Sequence, residues 1–172
     1  FPYTTLFRSM GLNRKPVVRL SGLERRINTP HTRDLIRRLN LAAVTVLNNE
    51  KGVLPIHPDV KKVAVLTVGK AKELEAFTNE LKKYVEVHTF ELGKQMPDSL
   101  QQKLRDSLSA YRRIIVPVNE IRLAPYQSFF AKFAPQVPVV YAFFTPAKLM
   151  LQIHRAISNA SSVVLGHTDS DE

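Results

Sequence analysis

The sequence predicts an α/β fold: a doubly wound, largely parallel, five-stranded sheet with helices on both faces. Three observations predict it. Short apolar runs alternate with segments of helical period, which is the order of βαβ units. Most of the runs lack alternation of polar and apolar residues, as strands buried on both faces do; the second, with Val85, Val87, Thr89 and Phe90, alternates more. The spacing between runs leaves room for a helix of about three turns, so right-handed crossovers can carry the chain from one parallel strand to the next.

The elements follow in order. Residues 10–28 are rich in Arg and Lys and carry no period; they read as a linker. Thr29-Pro30 is a helix start, with Thr29 as N-cap and Pro30 at the first helical position. Leu35, Ile36, Leu39, Ala42, Ala43, Val46 and Leu47 recur at three- and four-residue spacing, and predict one amphipathic helix from about Pro30 to Leu47. Its apolar stripe is expected against the sheet, with Arg33, Arg37 and Arg38 on the other face. Asn48, Asn49 and Gly52 end it, and Leu54-Pro55 and Pro58 mark an irregular connection.

Five strands are then expected at residues 63–68, 85–90, 113–118, 138–144 and 162–166. Leu74, Phe77 and Leu81 mark the first intervening helix. Leu100, Leu104 and Leu108 mark the second, and Phe129, Phe130 and Phe133 the third. Leu149, Met150, Ile153 and Ile157 mark the fourth. Pro117 and Pro138 lack an amide donor and are expected at strand ends or bulges. The pattern stops at Glu172, where one more helix is due, so the sheet domain is expected to be incomplete there. The organisation is thus a linker and bridging helix over residues 10–60 and an α/β-sandwich domain over 61–172.

Residues 1–9 stand apart. FPYTTLFRS matches, in one reading frame, the translation of a sequencing-library adapter, and it is set aside from the fold as an artefact.

The chain has 172 residues, 44% apolar and 23% charged, which is globular composition. It has no cysteine, which excludes a disulfide scaffold, a thiolate metal site and a cysteine nucleophile. No apolar run reaches the ~20 residues of a membrane span. The net charge is +10, and it is concentrated early. Arg14, Lys15, Arg19, Arg25, Arg26, Arg33, Arg37 and Arg38 face only Glu24 and Asp34 between residues 10 and 40. Aromatic residues are not interleaved with them, as base stacking requires, so no nucleic-acid partner is expected.

In doubly wound sheets ligands bind beyond the carboxyl ends of the strands. The residues due there are Gly69-Lys70, Phe90-Glu91, Asn119-Glu120, Phe144-Thr145 and His167-Thr168-Asp169. VGKAKE around Gly69 has neither glycine-rich phosphate motif. Asn119, Glu120, His167 and Asp169 are the candidate cleft-lining residues. His167 and a carboxylate form an acid–base pair only if their strands are neighbours. No His/Asp/Glu cluster has metal-ligand spacing, and no nucleophile elbow is present, so neither metal nor cofactor is expected. His31, His57, His88 and His154 are scattered. The residues alone leave open a catalytic fragment, a stand-alone flavodoxin-like ligand-binding module and a basic nucleic-acid-associated protein.

Several segments resemble glycoside hydrolase family 3, in its second, α/β-sandwich domain. Gly11-Leu12 stands where the family's catalytic barrel closes. Ala43-Val44-Thr45-Val46-Leu47-Asn48-Asn49 with Leu54-Pro55 is similar to the family's A-x-T-x-L-x-N and L-P segment. Lys61 to Leu66 is similar to the strand that follows, Val139 to Phe144 with Thr145-Pro146 to a later strand and helix start, and Val163 to His167 to the final strand. The glucosidase branch has a D-R…L-P…Q segment after its third strand. Asn119 to Gln127 reads NEIRLAPYQ and departs from it, which looks more like the β-N-acetylhexosaminidase branch. The resemblance implies removal of terminal non-reducing β-linked N-acetylglucosamine, without a cofactor. It places the Asp nucleophile and the Asp/His acid–base pair on a barrel preceding Met10, so no catalytic residue is expected in this chain. It also favours a periplasmic or extracellular location.

Overall fold

The computed structural model describes residues 2–11 and 20–166. The chain divides into two compact units, residues 1–38 and 39–172. In the first, α1 spans Pro2–Ser9 and α2 spans Leu23–Ile27. The adapter-like segment is therefore helical, although it carries no helical period that continues beyond it. Helix α3 spans Pro30–Ala43, and the boundary between units falls within it. Its N-cap is as expected: the Thr32 amide donates to Thr29 Oγ1 at 3.1 Å.

The second unit is built on a six-stranded sheet in the order β1-β6-β5-β4-β2-β3. The strands are β1 Thr45–Asn49, β2 Lys62–Val68, β3 Glu86–Leu92, β4 Ile114–Val118, β5 Val139–Phe143 and β6 Ser162–Leu165. All neighbours are parallel except β1 and β6, which pair antiparallel. The five expected strands are present, and the doubly wound class holds. The sixth, β1, corrects the reading of one helix to Leu47. Helix α3 stops at Ala43, and the β-branched run Val44-Thr45-Val46 turns extended. Thr45 pairs with Leu165 and Val46 with Val164. The spacing of Val46 and Leu47 fits a helix as well as a strand, so the distant partner strand decides between them.

The expected burial of the α3 stripe is also corrected. No residue of α3 is buried. Leu35 is 44% exposed and Leu39 is 60% exposed.

Two apolar layers cover the sheet. On one face Ala64, Leu66, Val68, Ile114, Val116 and Tyr141 pack with Leu108, Phe129, Phe130, Ile153 and Ala156. These last residues come from α5 (Asp98–Ser109), α6 (Gln127–Ala131), the 3-10 turn Ala147–Ile153 and α7 (His154–Ser158). On the other face Val63, Val65, Ile115 and Val140 pack with Val53 and, from α4 (Glu75–Leu81), with Phe77 and Leu81. The odd and even residues of β2 thus serve opposite layers, as strand geometry dictates. Pro138 precedes β5, and its carbonyl accepts from the Ile114 amide. Pro117 is next to last in β4, where pairing with β2 passes from Val65/Ile115 to Val68/Val118. Its missing amide therefore removes a rung close to the strand end.

Candidate functional site

From β2 the chain crosses to β3 on one side and then returns to β4 on the other. The strand order reverses between β2 and β4, so the topological switch point opens beyond Val68 and Val118. Here the structure brings together Gly69, Lys70, Asn119 and Glu120.

Asn119 occupies the opening itself. Its side chain is buried, and its Oδ1 accepts from the Lys70 amide at 2.9 Å. Its Nδ2 donates to the Lys70 carbonyl at 3.3 Å and to Glu73 Oε2 at 3.2 Å. The Asn119 amide donates to the Val68 carbonyl at 3.1 Å, which extends the β2–β4 ladder past the strand. Gly69 makes this approach possible. Its φ is +118°, and a Cβ there would lie 2.2 Å from Asn119 Oδ1. The glycine is thus required by a side chain of this protein, with its loop amide spent on that side chain. This agrees with the absence of a glycine-rich phosphate motif.

Glu120 is nearly buried, and its Oε2 meets Lys94 Nζ at 2.6 Å. Its Oε1 accepts from the Arg122 amide at 3.1 Å. Burial alone would raise its carboxyl, but the Lys94 ammonium and the Arg122 and Ile121 amides outweigh burial and hold it below the usual carboxylate range. Tyr126 lies buried nearby. Burial first, then the charges of Glu120 and Glu91, push its hydroxyl up. Lys70 Nζ pairs with Glu73 Oε1 at 2.5 Å. Glu73 and Glu120 at the opening are thus each held by a lysine.

The other expected positions are dispersed. The Phe90 carbonyl accepts from Thr67 Oγ1 at 3.0 Å. Phe144 packs edge-on to Phe77, with centroids 5.2 Å apart. Thr145 is buried, and its Oγ1 has no partner among the described residues. His167 and Asp169 lie outside the described residues. The end of β6 is separated from β4 by β5, so the neighbouring strands that a His167–Glu120 pair needs are not adjacent. Among the described residues no group of three or more His, Cys, Asp or Glu side chains is placed to hold a metal ion. No helix of the described residues is long and apolar enough to cross a membrane.

Sequence reasoning did not single out Lys94 or Glu73. Both act on the site across the sheet's end, and nothing local distinguishes them from other surface charges. It did single out the Ala43-to-Asn49 segment, whose Asn49 has a structural task. Asn49 Nδ2 donates to the Leu54 carbonyl at 2.8 Å, and the Leu54 amide donates to Asn49 Oδ1 at 2.9 Å. This two-way clasp holds the chain at Leu54-Pro55, a cis bond.

This arrangement of strands and switch point has counterparts among solved structures. The beta-glucoside phosphorylase BglX matches over 92% of this chain and 30% of its own, with a TM-score of 0.65 and 18% identity. A beta-glucosidase from Listeria innocua in complex with isofagomine matches over 98% and 28%, with a TM-score of 0.63 and 15% identity. A glycoside hydrolase family 3 beta-N-acetylglucosaminidase from Paenibacillus sp. str. FPU-7 matches over 98% and 33%, at 0.58 and 16%. The chain has their fold. It spans about a third or less of each of these chains. No protein-family model matches the sequence, and no curated protein matches it.

Proposed function

We propose that this chain is the α/β domain of a family 3 glycoside hydrolase of the β-N-acetylhexosaminidase-like branch. The observation that carries the reading is the likeness in fold, over nearly the whole chain, to several glycosidases and a glycoside phosphorylase. Two sequence features refine it. The Ala43-to-Asn49 and Leu54-Pro55 segment supports the family. The NEIRLAPYQ segment at residues 119–127 departs from the glucosidase pattern and supports the N-acetylglucosamine branch.

The catalytic carboxylates belong to a barrel encoded upstream of Met10, and this domain supports that barrel and walls its sugar cleft. Retaining hydrolysis needs two suitably placed groups about 5–5.5 Å apart. Glu120 and Glu73, each held by a lysine at the switch point, are read as parts of a wall. Asn119, which shapes the Gly69-Lys70 loop, and Glu120 are the residues that would present this wall.

The test uses two chromogenic substrates, a β-N-acetylglucosaminide and a β-glucoside, with the chain alone and with the product of the full reading frame. The full product should hydrolyse the N-acetylglucosaminide preferentially, and the chain alone should be inactive on both. Preference for the glucoside would overturn the branch and keep the family. Turnover by the chain alone would overturn the assignment of chemistry to the barrel.

A further inference from the structure

Arg105 has a hydrogen-bonding capacity that the chain does not use. It lies in the C-terminal half of α5, where its guanidinium carbon sits 5.6 Å from the centroid of the Phe129 ring. That contact fixes one side of the plane. Arg105 Nη2 donates to Gln102 Oε1 at 2.9 Å, while Nη1 is buried and has no partner among the described residues. A buried donor without an acceptor is costly, and a charged one more so. A guanidinium is also a two-pronged donor that matches the two oxygens of a carboxylate or phosphate. Here it is offered a single amide oxygen.

A cavity of about 230 Å³ adjoins it, lined by Gln102, Arg105, Asp106, Ser109, Lys132 and the chain from Phe133 to Pro135. Lys132 brings a second cation. Its Nζ is 3.4 Å from Asp98 Oδ2, a long contact between two exposed groups, so the lysine is weakly held. The one carboxylate of the lining, Asp106, accepts from Gln102 Nε2 at 2.7 Å. Gln102 is exposed and touches both Arg105 and Asp106, which makes it the movable cover of the guanidinium.

We propose that this cavity is an oxyanion site, with Arg105 as the two-pronged donor and Lys132 as the second cation. The group it takes is the carboxylate or phosphate of a small molecule. On entry the oxyanion displaces the Gln102 carboxamide oxygen from Nη2 and supplies Nη1 with the acceptor it lacks. Ser109 and the Ala134–Pro135 backbone border the rest of the ligand. The site shares no residue with the Asn119–Glu120 opening, so it does not rest on the sugar cleft proposed above.

The test is a thermal-shift and NMR titration of the whole chain with inorganic phosphate and, separately, acetate, at constant ionic strength held with sodium chloride. A saturable response centred on α5 and residues 132–135 is expected. Its apparent affinity should fall at least about tenfold in Arg105→Gln, because the charged two-pronged partner is lost. Gln102→Glu keeps Arg105 and places a competing carboxylate on it, so it should abolish the response even if Arg105→Gln folds poorly. Asp98→Asn should strengthen binding by freeing Lys132. The phosphate and acetate arms decide between the two oxyanion classes. A linear response, or one unchanged in Gln102→Glu, would overturn the site.

Discussion

One side chain, Asn119, carries most of the geometry at the switch point. It ties the loop after β2 to the end of β4 through three hydrogen bonds of its amide group. Gly69 is there because any Cβ would strike that amide. Gly69→Ala should therefore destabilise the fold by about 2–4 kcal/mol, from left-handed strain and displacement of Asn119 together. Asn119→Ala should cost about 1–3 kcal/mol, since it removes the part-buried hydrogen bonds that this buried side chain makes to Lys70 and Glu73. Urea unfolding of both variants checks the pair. Their effects should also be less than additive, because each disturbs the same contact. Glu120 adds a pH dependence. Its folded carboxyl is held below its unfolded value, so its contribution is present above the usual glutamate range and is lost as pH falls through the lowered folded value. Glu120→Gln should flatten the acid side of the stability profile and leave its neutral part with a smaller, pH-independent loss. Denaturation midpoints from pH 7 to pH 3 measure this.

At the scale of elements, two helices of similar pattern have different fates. In α5 Leu108 is fully buried beneath the sheet while Leu100 is 48% exposed. In α3 the whole stripe is exposed. The same substitution should therefore read differently in the two. Leu108→Ala should cost about 2–5 kcal/mol, by lost transfer energy and a cavity. Leu39→Ala should change stability by less than about 0.5 kcal/mol, since an exposed helical leucine has no cavity to leave and alanine is as good a helix former. Parallel denaturant curves on the two variants decide it. Strand β1 belongs to the same scale. Its residues Val46 and Leu47 share the three- and four-residue spacing of α3; Val46 pairs with Val164 and Leu47 lies at the register shift before Asn48, and only this pairing with a segment far along the chain makes them part of a strand. Asn49, at the end of β1, then closes the turn onto Leu54.

For the whole molecule, the charge of +10 is unevenly placed. Arg25, Arg26, Arg33, Arg37 and Arg38 are exposed and form no ion pair with the described residues. No aromatic residue is interleaved with them in the sequence. Binding to random duplex DNA should accordingly be weak and should collapse between low and physiological salt, because it rests on phosphate neutralisation alone. Fluorescence anisotropy across a salt series measures this. Tight, sequence-dependent binding that survives 150 mM salt and is lost on Arg37→Ala with Arg38→Ala would show a nucleic-acid interface.

The fold class and the five parallel strands were legible in the sequence, because their evidence is local. An apolar run without alternation reports a strand covered on both faces, wherever its neighbours lie. Val63 to Val68 and Ile114 to Val118 are the clearest cases, and both are fully buried. Asn119 and Glu120 were legible as residues beyond strand ends. Their partners were not, since Lys70, Glu73 and Lys94 reach them only through the order in which strands pair. Tertiary structure alone decided the antiparallel β1, the exposed stripe of α3 and the clamp on Lys70. The strand and the clamp depend on contacts between residues distant in sequence, whose closure entropy and pairing no local period encodes, and the α3 stripe is exposed because it is not buried by any such contact among the described residues.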